Sequence, residues 1–214
     1  MEYDEIYFEG KTIEGYERSY RERGYIINKK HFELLIREKL PKNAKILDIG
    51  CAYGYFIEIA TKHGFICYGI DISNVALKEA KRHGEVIKAT AELLPFKSNS
   101  LDVVTLFDVI EHLESPFKAL KEVHRVLKRG GILIITTPNV NSLQRYIKRN
   151  KFHAFCDKTH KYLFIKKTLE YLVSKAGFNV KRVETHFYSL PTKLSSLLSF
   201  TGLGATIWLV ARKE

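Results

Sequence analysis

Short runs of aliphatic and β-branched residues alternate with segments whose apolar positions recur every three or four residues. The spacing predicts strands at Lys45 to Ile49, Ile66 to Ile70, Glu85 to Ala89, Asp102 to Phe107 and Ile132 to Thr136. Helices are predicted between them at Tyr53 to His63, Asn74 to Arg82 and Pro116 to Lys128, and such alternation builds a parallel sheet. In the last of these helices Ser115 stands at the cap position, Pro116 in the first turn and Gly130-Gly131 past the end. Ahead of the first strand, Phe32, Leu35, Ile36 and Leu40 predict an amphipathic helix from Asn28, its cap, to the stop at Pro41. After the fifth strand come a helix at Lys167 to Lys175, ended by Gly177, and two closing strands at Asn179 to Thr185 and Thr206 to Arg212.

This pattern fills a chain of 214 residues with no repeat and no linker, so residues 1–214 read as one domain with an N-terminal helical segment over about 12–40. The stretch Asn139 to Ile165 breaks the rhythm. It is weakly periodic, highly charged and too long for a plain connection, which marks it as a lid over a substrate.

Composition adds three constraints. A 45% hydrophobic, 28% charged chain with 5 prolines is that of a globular protein. Cys51, Cys67 and Cys156 form neither a paired framework nor a CxxC motif, which fits a reducing, cytoplasmic setting. The N-terminus is acidic, and the apolar stretch from Leu194 to Val210 is too broken by Ser, Thr and Gly for a membrane span. The net charge of +11 is concentrated between Arg145 and Lys193, where basic residues far outnumber Asp157, Glu170 and Glu184. An anionic partner is one reading and a solvated basic surface the other.

The chemistry begins where the first strand enters Asp48-Ile49-Gly50-Cys51-Ala52-Tyr53-Gly54. Gly50 permits close approach of a ligand to the backbone, Gly54 lets the next helix begin tight against the strand, and that helix's N–H groups favour a carboxylate or other anion. About twenty residues on, the second strand ends in Gly69-Ile70-Asp71, placing an acid where ribose hydroxyls would lie. A nicotinamide or flavin fingerprint needs glycine at the first, third and sixth positions of the turn, where this chain has Gly50, Ala52 and Tyr55.

The turn resembles instead the Asp-x-Gly-x-Gly-x-Gly motif of class I S-adenosylmethionine-dependent methyltransferases, with Ala52 at the middle glycine. Ala91-Glu92 before Leu94-Pro95-Phe96, then Phe107-Asp108-Val109-Ile110-Glu111-His112-Leu113, then Leu127-Lys128-Arg129-Gly130-Gly131 extend the resemblance over nearly the whole chain. It implies a doubly wound, three-layer, Rossmann-like α/β fold whose mostly parallel seven-stranded sheet has an antiparallel last strand. It also implies S-adenosyl-L-methionine as cofactor, with Asp48, Gly50, Cys51, Ala52 and Gly54 at the methionine part. Asp71 and Ile72 would meet the ribose and adenine, Ala91 and Glu92 the adenine edge, and Asp108 the floor.

Methyl transfer is an in-line displacement that asks mainly for alignment and a dry site. A hydroxyl acceptor needs a base, and His112 and His160 are the catalytic candidates. Asp108, Glu111, His112 and His160 also form a donor set suited to Mg, Mn or Zn. That set resembles the Glu-x-x-Glu-His motif and later His of metal-dependent RNA 3′-end ribose methyltransferases, with Asp108 replacing the first Glu. A Glu-His followed by Thr-His is also similar to ubiquinone-pathway O-methyltransferases. The expected acceptor is a small molecule, methylated on oxygen in a pocket shaped by Asn139 to Ile165 and Leu190 to Gly204. RNA is the alternative, with Phe152, Phe155, Tyr162 and Phe164 as base-stacking surfaces among basic residues, and a silent cofactor-binding protein is a third. Tyr16, Tyr20, Arg23 and Tyr25 are placed to close over the cofactor or to pack on the N-terminal helix.

Overall fold

The computed structural model describes residues 5–9, 19–187, 190 and 192–214. Tyr16 and the rest of 12–18, within the expected N-terminal helical segment, lie outside the described residues. In chain order the elements are α1 (Glu5–Phe8), α2 (Tyr20–Leu35), β1 (Lys45–Ile49), α3 (Tyr55–Lys62), β2 (Ile66–Asp71), α4 (Asn74–Ala80) and β3 (Glu85–Lys88). There follow β4 (Leu101–Phe107), α5 (Pro116–Val126), β5 (Leu127–Pro138), α6 (Leu143–Lys148), α7 (His153–Cys156), α8 (Lys166–Lys175), β6 (Phe178–His186), α9 (Thr192–Leu197) and β7 (Thr206–Lys213).

The strands form one seven-stranded sheet in the order β3-β2-β1-β4-β5-β7-β6. Only β7 runs antiparallel to its neighbours β5 and β6; the pairs among β1 to β5 are parallel. The alternation of side chains divides the core in two. Leu47, Ile49, Val104, Leu106, Leu133 and Ile135 pack under α5 and α8. Ile46, Val103, Ile132, Ile134 and Trp208 pack under α2, α3 and α4. Three layers result, as the strand and helix pattern requires.

Two helix boundaries differ from the sequence expectation. Helix α2 starts at Tyr20 rather than Asn28, because Ser19 and Glu22 form a reciprocal capping box, and it gives way after Leu35 to a 3₁₀ turn over Ile36–Glu38. Asn28 is no cap. It is buried within α2, donating through Nδ2 to the Gly24 carbonyl at 2.9 Å and to the Tyr20 hydroxyl at 3.2 Å. Ser115 does not cap α5 with its side chain; its backbone N–H instead donates to Glu92 Oε1 at 3.4 Å.

Parallel strands bring their carboxyl ends to one edge, and the order reverses between β1 and β4, whose carboxyl ends therefore flank the crevice in which doubly wound sheets bind ligands. The expected insertion forms α6, a 3₁₀ turn, α7 and an extended return whose Phe164 bridges Asn139 beside the end of β5.

Candidate functional site

The loop after β1 is wound by three left-handed residues, Gly50 (φ 71°), Ala52 (φ 47°) and Gly54 (φ 77°). Gly50 and Cys51 donate their N–H groups to the Ile70 carbonyl at 2.8 and 3.0 Å, fastening the turn to the end of β2. A Cβ at Gly50 would lie 2.4 Å from Val109 Cγ2, so only glycine fits both the backbone angle and the space. Ala52 accepts the left-handed conformation at a cost of about 1–2 kcal/mol. It packs with Phe8 and Tyr53 in a small aromatic cluster that Tyr20 joins from α2.

Asp48 and Asp71 sit behind this turn. Asp48 is buried and accepts from the Thr105 hydroxyl at 2.7 Å. Burial pushes its carboxyl up to about 7, against the pull of Thr105 and with a further push from the Asp71 charge. Asp71 accepts from the backbone N–H of Ala52 at 2.9 Å through Oδ2 and from that of Ser73 at 2.8 Å through Oδ1. It therefore clamps the turn onto β2, and the Ile72 N–H adds a third backbone donor to the carboxylate. Ile72 beside it is exposed, open to a flat apolar partner, while Ala91 is buried in the core and Glu92 is tied to Ser115. The Cys51 thiol is buried, which pushes its pKa far up and leaves it inert.

Asp108 takes up φ 54° directly after β4. Its N–H donates to Thr136, and its Oδ1 accepts from the Thr136 hydroxyl at 3.2 Å. The side chain lines a recess, reaching solvent yet walled by protein. That desolvation raises its pKa, and Thr136, His160 and Arg23 draw it back down. Arg23, on α2, is thus near enough for its charge to act on Asp108. Tyr20 packs around the turn, and Tyr25 meets only the edge of Tyr55 from an exposed position.

Beyond Asp108 the chain brings Glu111, His112 and His160 together, with one possible ligand atom from each within 4.8 Å of the others. The lid return secures this arrangement: Lys161 and Tyr162 donate their N–H groups to the Glu111 carbonyl at 2.8 and 3.1 Å. The two imidazole centroids are 4.6 Å apart. Thr159 Oγ1 lies 2.8 Å from His112 Nδ1 and 2.5 Å from Asp157 Oδ1. Thr159 has one hydroxyl proton, which goes to Asp157, and His112 Nδ1–H then donates to Thr159. His160 Nδ1 meets the Ala154 carbonyl at 2.9 Å and must donate there, while its Nε2 lies 3.8 Å from Asp157 Oδ2. Burial and the neighbouring His160 hold His112 down to about 4, a neutral imidazole at neutral pH.

Glu111 is 1% exposed, and neither carboxylate oxygen has a well-formed hydrogen bond among the described residues, though the Thr137 hydroxyl lies near enough to draw its pKa down. Burial, followed by the charge of Asp108, raises its pKa well above the carboxylate range. Such a group is expensive unless protonated or paired with a cation. Asp108 does not belong to the converging trio, because Thr136 holds it at the end of β4. Two of the expected base-stacking aromatics are ruled out by position: Phe152 and Phe164 are buried, and only Phe155 and Tyr162 are exposed.

Thr105, Thr136, Asp157 and Thr159 were absent from the sequence candidates. A readable signal exists for the first two: a hydroxyl residue inside or ending an aliphatic strand, as in Val103-Val104-Thr105-Leu106 and Ile134-Ile135-Thr136.

The sequence profile of the methyltransferase domain family matches residues 10–183, and the chain belongs to that family. An uncharacterized protein of Methanocaldococcus jannaschii is 35% identical over 179 residues, 83% of this chain and 84% of that one. A ubiquinone biosynthesis O-methyltransferase of Coxiella burnetii is 28% identical over 124 residues, 55% of this chain and 53% of its own length. Among solved structures, a SAM-dependent methyltransferase of Thermotoga maritima, described as a possible histamine N-methyltransferase, superposes with a TM-score of 0.69 at 26% identity. That superposition covers 91% of this chain and 93% of the other. The fold, the family and the turn after β1 together define an S-adenosylmethionine-dependent methyltransferase. No helix among the described residues is long and apolar enough to cross a membrane.

Proposed function

We propose that this methyltransferase acts on an oxygen of a small-molecule acceptor held between the turn Gly50–Gly54 and the insertion 139–165, with His112 receiving the acceptor proton. S-adenosylmethionine supplies a methyl group on a sulfonium that departs as a neutral thioether. The chain's task is then to align donor and acceptor and to exclude water. The glycine turn and Asp71 hold the donor, with Ile72 against the adenine, Glu92 near its edge and Arg23 beside Asp108 at the methionine end.

The observation that supports the oxygen reading is the Asp157–Thr159–His112 relay, which orients a neutral imidazole beside the recess. His160 packs against it and completes the acceptor side. The O-methyltransferase among the relatives supports oxygen, while the N-methyltransferase description of the structural neighbour makes amines the control class. The test is transfer of a labelled methyl group to panels of phenols, sugars, acids and amines. Incorporation into hydroxyl acceptors that is lost in His112→Ala, with donor affinity kept, supports the reading; incorporation into amines alone overturns it.

A second reading rests on the unsatisfied Glu111 carboxylate, which fits a divalent cation held by Glu111, His112 and His160. Such a cation would lower the pKa of an acceptor hydroxyl. Calorimetric titration with Mn²⁺ or Zn²⁺ tests it: stoichiometric binding abolished in Glu111→Gln supports the cation, and full methyl transfer after exhaustive chelation removes it.

A further inference from the structure

Two helical segments of this chain turn the wrong face to water. In α6 no residue is buried, and Leu143 and Ile147, four apart on one side, are both exposed, Ile147 by 72%. In the stretch from α9 through the following 3₁₀ turn, Leu194, Leu197 and Phe200 recur every third residue on the outside, Phe200 at 79% exposure. The side facing the protein carries small polar residues instead. Ser195 is buried and accepts from the Phe187 N–H at 2.8 Å, and the Ser199 carbonyl accepts from the Thr185 hydroxyl at 3.3 Å.

The two segments are tied together. Leu143 N–H donates to the Leu203 carbonyl at 3.0 Å, and Asn139 Nδ2 donates to the carbonyls of Gly202 and Gly204 at 3.0 and 2.8 Å. Their apolar residues therefore flank one junction, at Leu143 and Leu203, in the insertion that also carries His160.

The charge around that surface has one sign. Arg145, Lys148, Arg149, Lys151 and Lys193 are all exposed, and the sequence contains no acid from 123 through 156 or from 185 through 213. Among the described residues Lys148, Arg149, Lys151 and Lys193 have no salt-bridge partner. Large apolar side chains rimmed by unneutralised cations have the chemistry of an interfacial segment, which sinks its apolar face to the acyl boundary while its cations meet headgroups. A protein partner or a second copy would need acids to meet these cations, and this chain's own face offers none.

We infer that the surface formed by α6, α9 and the turn through Leu203 docks this methyltransferase onto an anionic lipid surface, without crossing it. The inference stands apart from the acceptor and base assignments, because docking needs neither donor nor turnover.

Sedimentation with vesicles tests it, using full-length protein with phosphatidylglycerol–phosphatidylcholine vesicles and with pure phosphatidylcholine vesicles. The expected result is binding to the anionic vesicles alone, weakened by added salt. It should fall about tenfold or more in Ile147→Glu/Phe200→Glu. Lys148→Glu/Arg149→Glu, an exposed pair, should lower it as well and guards against misfolding of the first variant. Far-ultraviolet circular dichroism and calorimetric S-adenosylmethionine affinity should be unchanged in both, which separates a failure of docking from a failure of the cofactor site. Wild-type protein that stays in the supernatant, or binding unaffected by both variants, overturns the inference. So does a concentration-dependent dimer that Phe200→Glu dissociates, since a second copy would then be the occupant.

Discussion

Asp71 Oδ2 accepts the backbone N–H of Ala52 at 2.9 Å, so the residue proposed to hold the ribose also sets the shape of the turn proposed to hold the methionine. On that proposal, donor binding at the two ends of the cofactor is coupled through one carboxylate. Asp71→Asn keeps the volume but gives one backbone N–H an amide nitrogen in place of an acceptor oxygen. It should lower unfolding free energy by about 1–3 kcal/mol and weaken S-adenosylmethionine binding at least tenfold. Denaturant titration and calorimetry check the two effects; a loss of affinity with stability untouched would show that Asp71 serves the ligand alone.

Gly50 and Ala52 are both left-handed yet should respond in opposite ways. Gly50→Ala meets Val109 as well as the unfavourable backbone angle and should cost about 2–4 kcal/mol. Ala52→Gly relieves strain of about 1–2 kcal/mol but frees the unfolded chain by about 0.4–1 kcal/mol, so it should be neutral or slightly stabilising. Thermal unfolding of the two variants side by side settles the sign for each.

His31, on α2, stacks on Phe107 with centroids 4.1 Å apart, and burial followed by the nearby His186 pushes its pKa down to about 3. The unfolded chain takes up a proton near pH 6.5 that the folded chain refuses until about pH 3, so this residue removes stability as pH falls through that window. Asp48, with its pKa raised to about 7, acts in the opposite direction, costing stability as pH rises through the same range. The His31 contribution must therefore be read as a difference between proteins at equal pH. His31→Phe should gain on wild type by about 1.4 kcal/mol for each pH unit below about 6. Parallel stability profiles for the two proteins would refute the assignment.

On the acceptor side, Thr159→Val should act through His112 without touching substrate. It removes the acceptor of the Nδ1 proton, so turnover should fall about 10–100-fold while donor affinity stays constant, and Thr159→Ser should rescue most of it. Equal losses in the valine and serine variants would point to lid packing instead.

The strands and the glycine turn were legible because each depends on local signals: a period of two, a β-branched run, a glycine that no other residue can replace. The start of the N-terminal helix was misjudged because its first half, residues 20–27, buries only Gly24 and leaves Arg21, Glu22, Tyr25 and Ile26 exposed, so no apolar spacing marks it. Asp71 was located, but its clamp on Ala52 joins residues whose relation is set by the parallel pairing of β1 and β2. The same holds for the relay to His112: Thr159 and Asp157 reach it only because the lid return hydrogen-bonds to Glu111. Leu194, Leu197 and Phe200, in the segment expected to shape the acceptor pocket, face outward, since exposure leaves no mark on residue type.

The account rests on the turn after β1 as a cradle for S-adenosylmethionine, and isothermal titration of that compound into wild-type protein and Gly50→Ala measures it most directly. Saturable one-to-one binding by wild type, weakened at least tenfold in a folded Gly50→Ala, is the predicted result. Folded wild-type protein that binds no S-adenosylmethionine, or a variant that binds it equally well, would contradict it.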